Sequence, residues 1–381
     1  MIKVGITGQS GFIGTHLFNT LGLYPDKFER VPFEDTFFDN KLKLSEFVRG
    51  CDVIVHLAAM NRHNSPEVIY STNIGLVQKL IEACEITKST PHIIFSSSTQ
   101  EERDNLYGKS KKEGRILFEQ WASKNNAIFS GFVIPNVFGP FGKPYYNSVV
   151  ATFCHQLTHG EEPKIEVDGE LNLIYVSELV NHFIEKIVFH SVTQSKNSEL
   201  RGEAIQIPHT ATIKVSSLLN KLNEFKANYF EKGVFPNLTD SFERNLFNTF
   251  VCYIDHNQFF PFRLELKTDD RGSFVETIKL NSGGQISFST TKPGITRGNH
   301  FHTRKSERFA VIKGKAIIEI RRVGTDKKIT FELDGSNPSF VDMPIWFTHN
   351  IKNIGSEDLY TIFWISEHFN ANDPDTFFET V

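Results

Sequence analysis

Met1-Ile2-Lys3-Val4-Gly5-Ile6-Thr7-Gly8-Gln9-Ser10-Gly11-Phe12-Ile13-Gly14 carries a short apolar strand pattern straight into three glycines spaced three residues apart, and a helical pattern follows over 15–21. A glycine turn between a strand and a helix lets the backbone approach a pyrophosphate, whose charge then rests on the helix N-terminus. In this strand-turn-helix setting Gly8, Gly11 and Gly14, with Phe12 and Ile13 between them, are candidate dinucleotide-binding residues.

Working outward, short apolar runs at 3–7, 53–57 and 93–96 alternate with helical stretches at 15–21, 73–84 and 109–125. That alternation predicts an α/β Rossmann-type doubly wound parallel sheet. A late helix is expected over 215–230, broken by Pro236-Asn237-Leu238-Thr239-Asp240. Beyond it the texture changes. Residues 259–366 hold period-2 runs, such as 285–289, 308–312, 316–320, 328–333 and 360–365, separated by Gly, Pro, Asn and Asp. Such runs predict an all-β domain of sandwich or barrel type. A chain of 381 residues splits rather than growing a single core. The expected domains are 1–250 and 251–381, with a linker near 240–258.

Charge excludes some functions. A net charge of -4 leaves no excess of Lys and Arg to neutralise phosphates, which argues against a nucleic-acid or anionic-membrane binder. Cys51, Cys84, Cys154 and Cys252 are widely separated, so neither a disulfide framework nor a thiolate metal site is expected. The opening strand leaves no room for a signal peptide, and the apolar run 53–60 is far short of the ~20 residues of a membrane helix. The expected location is the cytoplasm.

Tyr107 and Lys111 are four residues apart and thus share a helix face. An ammonium there is expected to favour the phenolate, lowering the Tyr107 pKa so that its hydroxyl can protonate a carbonyl oxygen as hydride arrives. Just upstream, Ser96-Ser97-Ser98 ends a predicted strand and offers hydroxyls for that oxygen. Together with His56-Leu57-Ala58-Ala59, Asn73 and Pro135-Asn136-Val137-Phe138-Gly139, in this order, these residues resemble the extended short-chain dehydrogenase/reductases over roughly 250 residues. The resemblance implies a catalytic set of Ser98, Tyr107 and Lys111. It implies cofactor contacts from Gly8, Gly11, Phe12, Ile13, Gly14, Leu57, Ala58, Ala59 and Lys111, and substrate contact from Asn136. Only eight residues separate Ser98 from Tyr107, fewer than is usual in that family, so the acting hydroxyl within 96–99 stays open. The second strand is followed by Glu34-Asp35, whose acidity suits a ribose 2′-hydroxyl and repels a 2′-phosphate, which favours NADH.

In the β-patterned half, Gly294-x5-His300-x-His302-x4-Glu307-x6-Gly314 puts two imidazoles on one strand face with a carboxylate beyond a turn. Pro344-Ile345-Trp346-Phe347-Thr348-His349 adds a third imidazole. Three His and one Glu suit a divalent metal, Zn²⁺ foremost, with Ni²⁺, Fe²⁺ and Mn²⁺ as alternatives. The spacing resembles the two cupin motifs and implies a jelly roll, with Trp346 where the second motif usually has Gly. Asp269-Asp270-Arg271-Gly272 and Arg297-Gly298-Asn299-His300 also resemble the nucleotide-sugar 3,5-epimerases of the cupin class. That likeness makes His300 a candidate catalytic base as well as a ligand, with the ligand role ranked first, and Arg271 a candidate substrate contact.

Across nearly the whole chain the combination resembles the bifunctional capsular polysaccharide enzymes of the CapF type. The stretch Lys143-Pro144-Tyr145-Tyr146-Asn147 strengthens the match and offers Lys143 and Asn147 to a nucleotide sugar. The resemblance implies a UDP-2-acetamido-2,6-dideoxy-4-hexulose substrate, NADPH rather than NADH, C3 epimerisation followed by C4 reduction, and a homodimer. The rival readings are a plain 4-keto-sugar reductase whose cupin only binds ligand or metal, and a cofactor-binding regulator without turnover, which would have no use for a Tyr107 proton donor.

Overall fold

The structure, a computed structural model, describes residues 1–193, 203–270 and 272–381. Arg271 lies outside the described residues. The chain divides into two compact units, one of residues 1–138, 142–149 and 170–213, the other of residues 139–141, 150–169 and 214–381.

In the first unit, β1 (Ile2–Thr7), α1 (Phe12–Gly22), β2 (Phe28–Val31), α2 (Lys41–Arg49), β3 (Val53–His56), α3 (Pro66–Thr87), β4 (His92–Ser98), α4 (Leu106–Asn125) and β5 (Phe129–Ile134) alternate along the chain. The strands pair in parallel in the order β2-β1-β3-β4-β5, and Glu203–Gln206 extends the far edge. This is the doubly wound arrangement expected from the alternation. Every residue of β3 and β5 is buried, as strands covered on both faces must be. Separate apolar clusters form the two layers, one around Phe47, Leu80 and Phe118, the other around Leu17, Ile94 and Phe183.

Two glycines bring α1 onto β1. Gly8 has φ 71, a conformation that costs L side chains. At Gly14 a Cβ would stand 2.2 Å from the Gly8 carbonyl oxygen, so only glycine permits this approach.

The second unit contains two five-stranded sheets. One runs Phe262–Arg263, Ser339–Met343, Glu307–Lys313, Leu359–Ile365, Gln285–Thr291; the other runs Lys328–Asp334, Lys315–Arg322, Phe347–Asn353, Thr296–Phe301, Phe377–Phe378. Alternate residues from both fill a shared core that includes Val311, Ile318, Phe331 and Val341. This is the all-β double sheet that the period-2 texture predicts, in the cupin-type form that the motif resemblance implies.

The stretch expected as a linker, 240–258, is instead largely helical. Asp240 caps Ser241–Val251 by accepting from Glu243 N, and Phe247 and Phe250 of that helix pack on Phe225. Residues from 214 onward therefore belong to the β-rich unit. Its buried Arg308 explains part of this. The guanidinium makes paired hydrogen bonds to Asp342 at 2.7 and 2.8 Å and a third to the Gly233 carbonyl, while Tyr229 donates to Asp342. A buried charge needs every such partner. No helix among the described residues is long and apolar enough to cross a membrane.

Candidate functional sites

The first site sits where β4 ends. Asn105 caps α4 by accepting from Gly108 N at 2.7 Å. A Cβ on Gly108 would meet the Gln100 carbonyl at 2.0 Å, so the helix can start this close to the 3-10 turn Thr99–Glu102 only with glycine there. Buried Glu101 locks that turn by accepting from Ser97 Oγ at 2.6 Å and from Arg115 at 3.2 Å. The short connection between Ser98 and Tyr107 is thus a built element.

Lys111 is buried, and its Nζ donates to the Ser96 carbonyl at 2.9 Å while lying 5.9 Å from the Tyr107 ring centroid. Burial brings its pKa down to about 8. Tyr107 goes the other way. Burial, with a smaller contribution from Tyr146, pushes its hydroxyl up to about 12. The expected lowering by Lys111 is therefore corrected, because the ammonium is directed at a backbone carbonyl and desolvation dominates. Among the three serines, Ser96 Oγ donates to the His56 carbonyl and Ser97 Oγ to Glu101, whereas Ser98 Oγ accepts from Gln100 N. Of these hydroxyls, Ser98 is the one whose proton is not committed in those bonds.

Gly8 abuts Ala58, since a Cβ on Gly8 would lie 2.8 Å from Ala58 N. The glycine turn bearing Gly11, Phe12, Ile13 and Gly14 and the segment Leu57, Ala58, Ala59 therefore form one cradle at the ends of β1 and β3. Asn73 holds the chain beyond it, accepting from Met60 N and donating to Met60 O and Ser110 Oγ. Asn136 is exposed with one residue between it and β5, at the start of the short strand Asn136–Phe138. Lys143 and Asn147 are exposed on a loop that Arg62 ties down through the Tyr145 and Tyr146 carbonyls. Tyr146 on that loop accepts from Asn61 N and bears on Tyr107, a neighbour that sequence spacing did not single out.

The second site is in the β-rich unit. The strand Thr296–Phe301 bulges between Gly298 and His300, with Asn299 at φ 60, so His300 and His302 reach the same point as Glu307 and His349. One donor atom from each lies within 4.8 Å of the others. The Glu307 Oε2 is 3.3 Å from His302 Nε2 and 3.2 Å from His349 Nε2. These three atoms are buried, yet none makes a hydrogen bond of proper geometry. The Nδ1 atoms are occupied instead, that of His302 donating to the Asp375 carbonyl and that of His349 facing the Phe347 carbonyl. Each ring thereby turns its Nε2 lone pair inward, the arrangement that orients metal-binding imidazoles. Burial, then His349 and His302, lower His300 to about 4. Orphaned, converging nitrogen and carboxylate donors fit a divalent cation such as Zn²⁺. A cavity of about 190 Å³ opens beside them, lined by Arg297, His300, Phe309, Asn350 and Phe363. Asn350 Oδ1 there is buried and unpaired, a contact the sequence did not flag.

A parallel sheet with a glycine cradle and a Tyr-Lys helix, joined to a double β-sheet with a His/Glu cluster, defines a sugar-nucleotide-type reductase module fused to a cupin. Residues 4–187 match the NAD dependent epimerase/dehydratase family, and residues 267–377 match the polysaccharide biosynthesis C-terminal domain. The UDP-2-acetamido-2,6-beta-L-arabino-hexul-4-ose reductase of Pseudomonas aeruginosa is 32% identical over 381 residues, covering 99% of this chain and 98% of that protein. The structure of the capsular polysaccharide assembling protein CapF from Staphylococcus aureus is similar with a TM-score of 0.62 at 32% identity, over 100% of both chains. A structure of CapF with the inhibitor 3-isopropenyl-tropolone has a TM-score of 0.56 at 30% identity, again over 100% of both. The chain belongs to the CapF-type family of extended short-chain dehydrogenase/reductases fused to a C-terminal cupin.

Proposed function

We propose that the chain is a bifunctional nucleotide-sugar enzyme. Its cupin inverts C3 of a UDP-2-acetamido-2,6-dideoxy-4-hexulose, and its Tyr107 site then reduces the C4 ketone with NADPH, with NADH as the alternative. The product is a UDP-6-deoxy-talose-type N-acetyl sugar on the way to UDP-N-acetyl-L-fucosamine. The observation that carries this reading is the Lys111–Ser96 bond that sets Tyr107 and Lys111 at the end of β4, in a chain aligned end to end with a relative named as a reductase of such a ketone.

A bound nicotinamide cofactor would supply the hydride that C4 receives. Tyr107 donates its phenolic proton to the C4 oxygen, and Ser98 donates a hydrogen bond to that same oxygen. Lys111, with a pKa brought near 8, offsets the charge left on the phenolate. Gly8, Gly11, Phe12, Ile13, Gly14 and Leu57, Ala58, Ala59 would hold the cofactor, and Asn136, Lys143 and Asn147 would contact the sugar nucleotide during reduction; Arg271, by the epimerase resemblance, would contact it during inversion.

His300, His302, Glu307 and His349 would hold a divalent metal, which would supply Lewis acidity toward the ketone. Inversion removes the C3 proton, leaves an enolate and returns a proton to the opposite face, with no net redox change. The adjacent ketone is what acidifies C3–H, so inversion precedes reduction. The free cysteines and the UDP-sugar substrate suit the cytoplasm, and the family resemblance suggests a homodimer.

A second reading keeps the reductase and makes the cupin a binding module. It is favoured by the cluster itself, which uses His300 as the fourth donor and leaves none of its members free to act as base. Incubating the 4-keto substrate with the protein in deuterated water, without cofactor, separates the two. Deuterium at C3 is expected; its absence from metal-loaded protein would reduce the cupin to a binding module.

A further inference from the structure

Residues 373–381 run along the ligand-bearing sheet, and their contacts fall on or beside three of the four converging donors. The Asp375 main-chain carbonyl accepts from His302 Nδ1. Its carboxylate, buried, accepts from Thr303 N, Thr303 Oγ1, Arg304 N and Lys305 N at 2.6 to 3.1 Å, closing the turn directly after His302. Lys305 Nζ donates to the Pro374 carbonyl at 2.7 Å, and Arg304 pairs with Asp373 at 2.8 Å. Two residues on, Phe378 and Phe377 pair antiparallel with His300 and Phe301. Glu379 N then donates to the carbonyl of Asn299, the bulge residue that aims His300, at 3.0 Å. Thr348, next to His349, donates to the Glu379 carbonyl. Arg321 secures the far end through Glu379 Oε1 at 2.7 Å and the Thr380 carbonyl at 2.6 Å.

A segment that merely covered a sheet edge would contact backbone alone. This one receives a bond from a ligand imidazole and spends a buried carboxylate on the turn that positions it. We infer that residues 373–381 are a brace for the metal site, with Asp375 as the positioning residue that sets the His302 tautomer, and that metal loading and docking of the segment stabilise each other. The inference rests on the reading that the His/Glu cluster holds a divalent metal. Mutual stabilisation follows by linkage, because whatever orders the donors before binding is in turn ordered by binding.

The test uses the full chain loaded with Zn²⁺ and a competing chromogenic chelator, comparing wild type with Asp375→Ala, Asp375→Asn and Arg321→Ala. Asp375→Ala deletes the carboxylate that fixes the turn and so releases the main-chain carbonyl from His302 Nδ1; loss of such orientation of a metal-bound imidazole costs about 10- to 100-fold in affinity, the expectation for this variant. Asp375→Asn, which tolerates the residue's φ of 41 and keeps one acceptor oxygen, should recover most of it. Arg321→Ala frees the far end without touching the turn and should weaken Zn²⁺ by a smaller factor, which keeps the test alive if Asp375→Ala fails to fold. In metal-free protein labelled with ¹⁵N-histidine, the hydrogen-bonded Nδ1–H signal of His302 should be present in wild type and lost on unlatching. Unchanged Zn²⁺ affinity in the folded variants overturns the inference. If wild type takes up none of Zn²⁺, Ni²⁺, Fe²⁺ or Mn²⁺, the metal reading fails by itself; persistence of the His302 signal in Asp375→Ala then overturns the brace, and its loss upholds Asp375 as the residue that sets the tautomer.

Discussion

The two sites solve the problem of buried polarity in opposite ways. At the end of β4 the protein answers its own groups: Lys111 donates to Ser96 O, Ser97 donates to Glu101, and Glu101 also accepts from Arg115. In the cupin, Nε2 of His302 and His349 and Oε2 of Glu307 face one another with no such answer. Buried donors and acceptors without partners cost about 1–3 kcal/mol each. A site of the first kind stands ready before any ligand arrives; one of the second kind is completed by what it binds.

The largest expected effect breaks the comparison cleanly in two. Tyr107→Phe removes the proposed proton donor and should cut NADPH-dependent reduction about 10²- to 10⁴-fold, while leaving C3 exchange in deuterated water and Zn²⁺ content as in wild type. Glu307→Gln should do the reverse, losing the metal and the exchange but still oxidising NADPH when given a substrate already inverted at C3. Because a metal at 100 times its Kd contributes about 2.7 kcal/mol, chelation should also lower the melting temperature of wild type and not of Glu307→Gln. A single variant that abolished both activities would show that the sites do not work independently.

How much of this was legible differs between the halves for a physical reason. The glycine turn, the Tyr107–Lys111 pair and the His/Glu spacing depend on local geometry, namely a positive φ, one helix face and one strand face, so their patterns survive in the sequence. What stayed hidden depends on contacts between distant segments. Asp375 lies 73 positions beyond the imidazole it accepts from, and nothing in its neighbourhood marks it as buried. Tyr229, Arg308 and Asp342 draw the helices before residue 259 into the β-rich unit, which no local break in composition announces. The Tyr107 pKa was misjudged for the same reason, since spacing reveals the ammonium but not the carbonyl it is aimed at.

A smaller effect sharpens the description of the Tyr107 site. Burial brings Lys111 down to about 8 in the folded chain, below the ordinary lysine value of 10.5, so the unfolded chain binds more protons between those values and stability rises with pH across that window. The slope is at most about 1.4 kcal/mol per pH unit for one group. Denaturant midpoints of wild type should therefore climb from pH 8 toward 10 relative to those of Lys111→Met, in which the titrating group is gone. Parallel profiles for the two proteins would mean that Lys111 keeps its ordinary affinity for protons, and that the Ser96 carbonyl compensates its burial in full.

The smallest expected effect concerns how Tyr107 is held. Asn105 caps the helix two residues before it, and its Oδ1 accepts from Gly108 N at 2.7 Å. Replacing an N-cap Asn by Ala typically costs about 1 kcal/mol, because a first-turn N–H loses its acceptor. In Asn105→Ala that loss falls on the turn carrying the proton donor, so the helix start should fray and Tyr107 should spend part of its time off target. The expectation is a several-fold fall in the reduction rate with little change in KM, since the proposed cofactor cradle at Gly8 and Ala58 is built elsewhere. Asn105→Asp, which also caps and adds a charge favourable to a helix N-terminus, should restore the rate. Equal rates in all three proteins would show that Gly108 packed on Gln100 and the Glu101–Arg115 lock suffice to place Tyr107 without the cap.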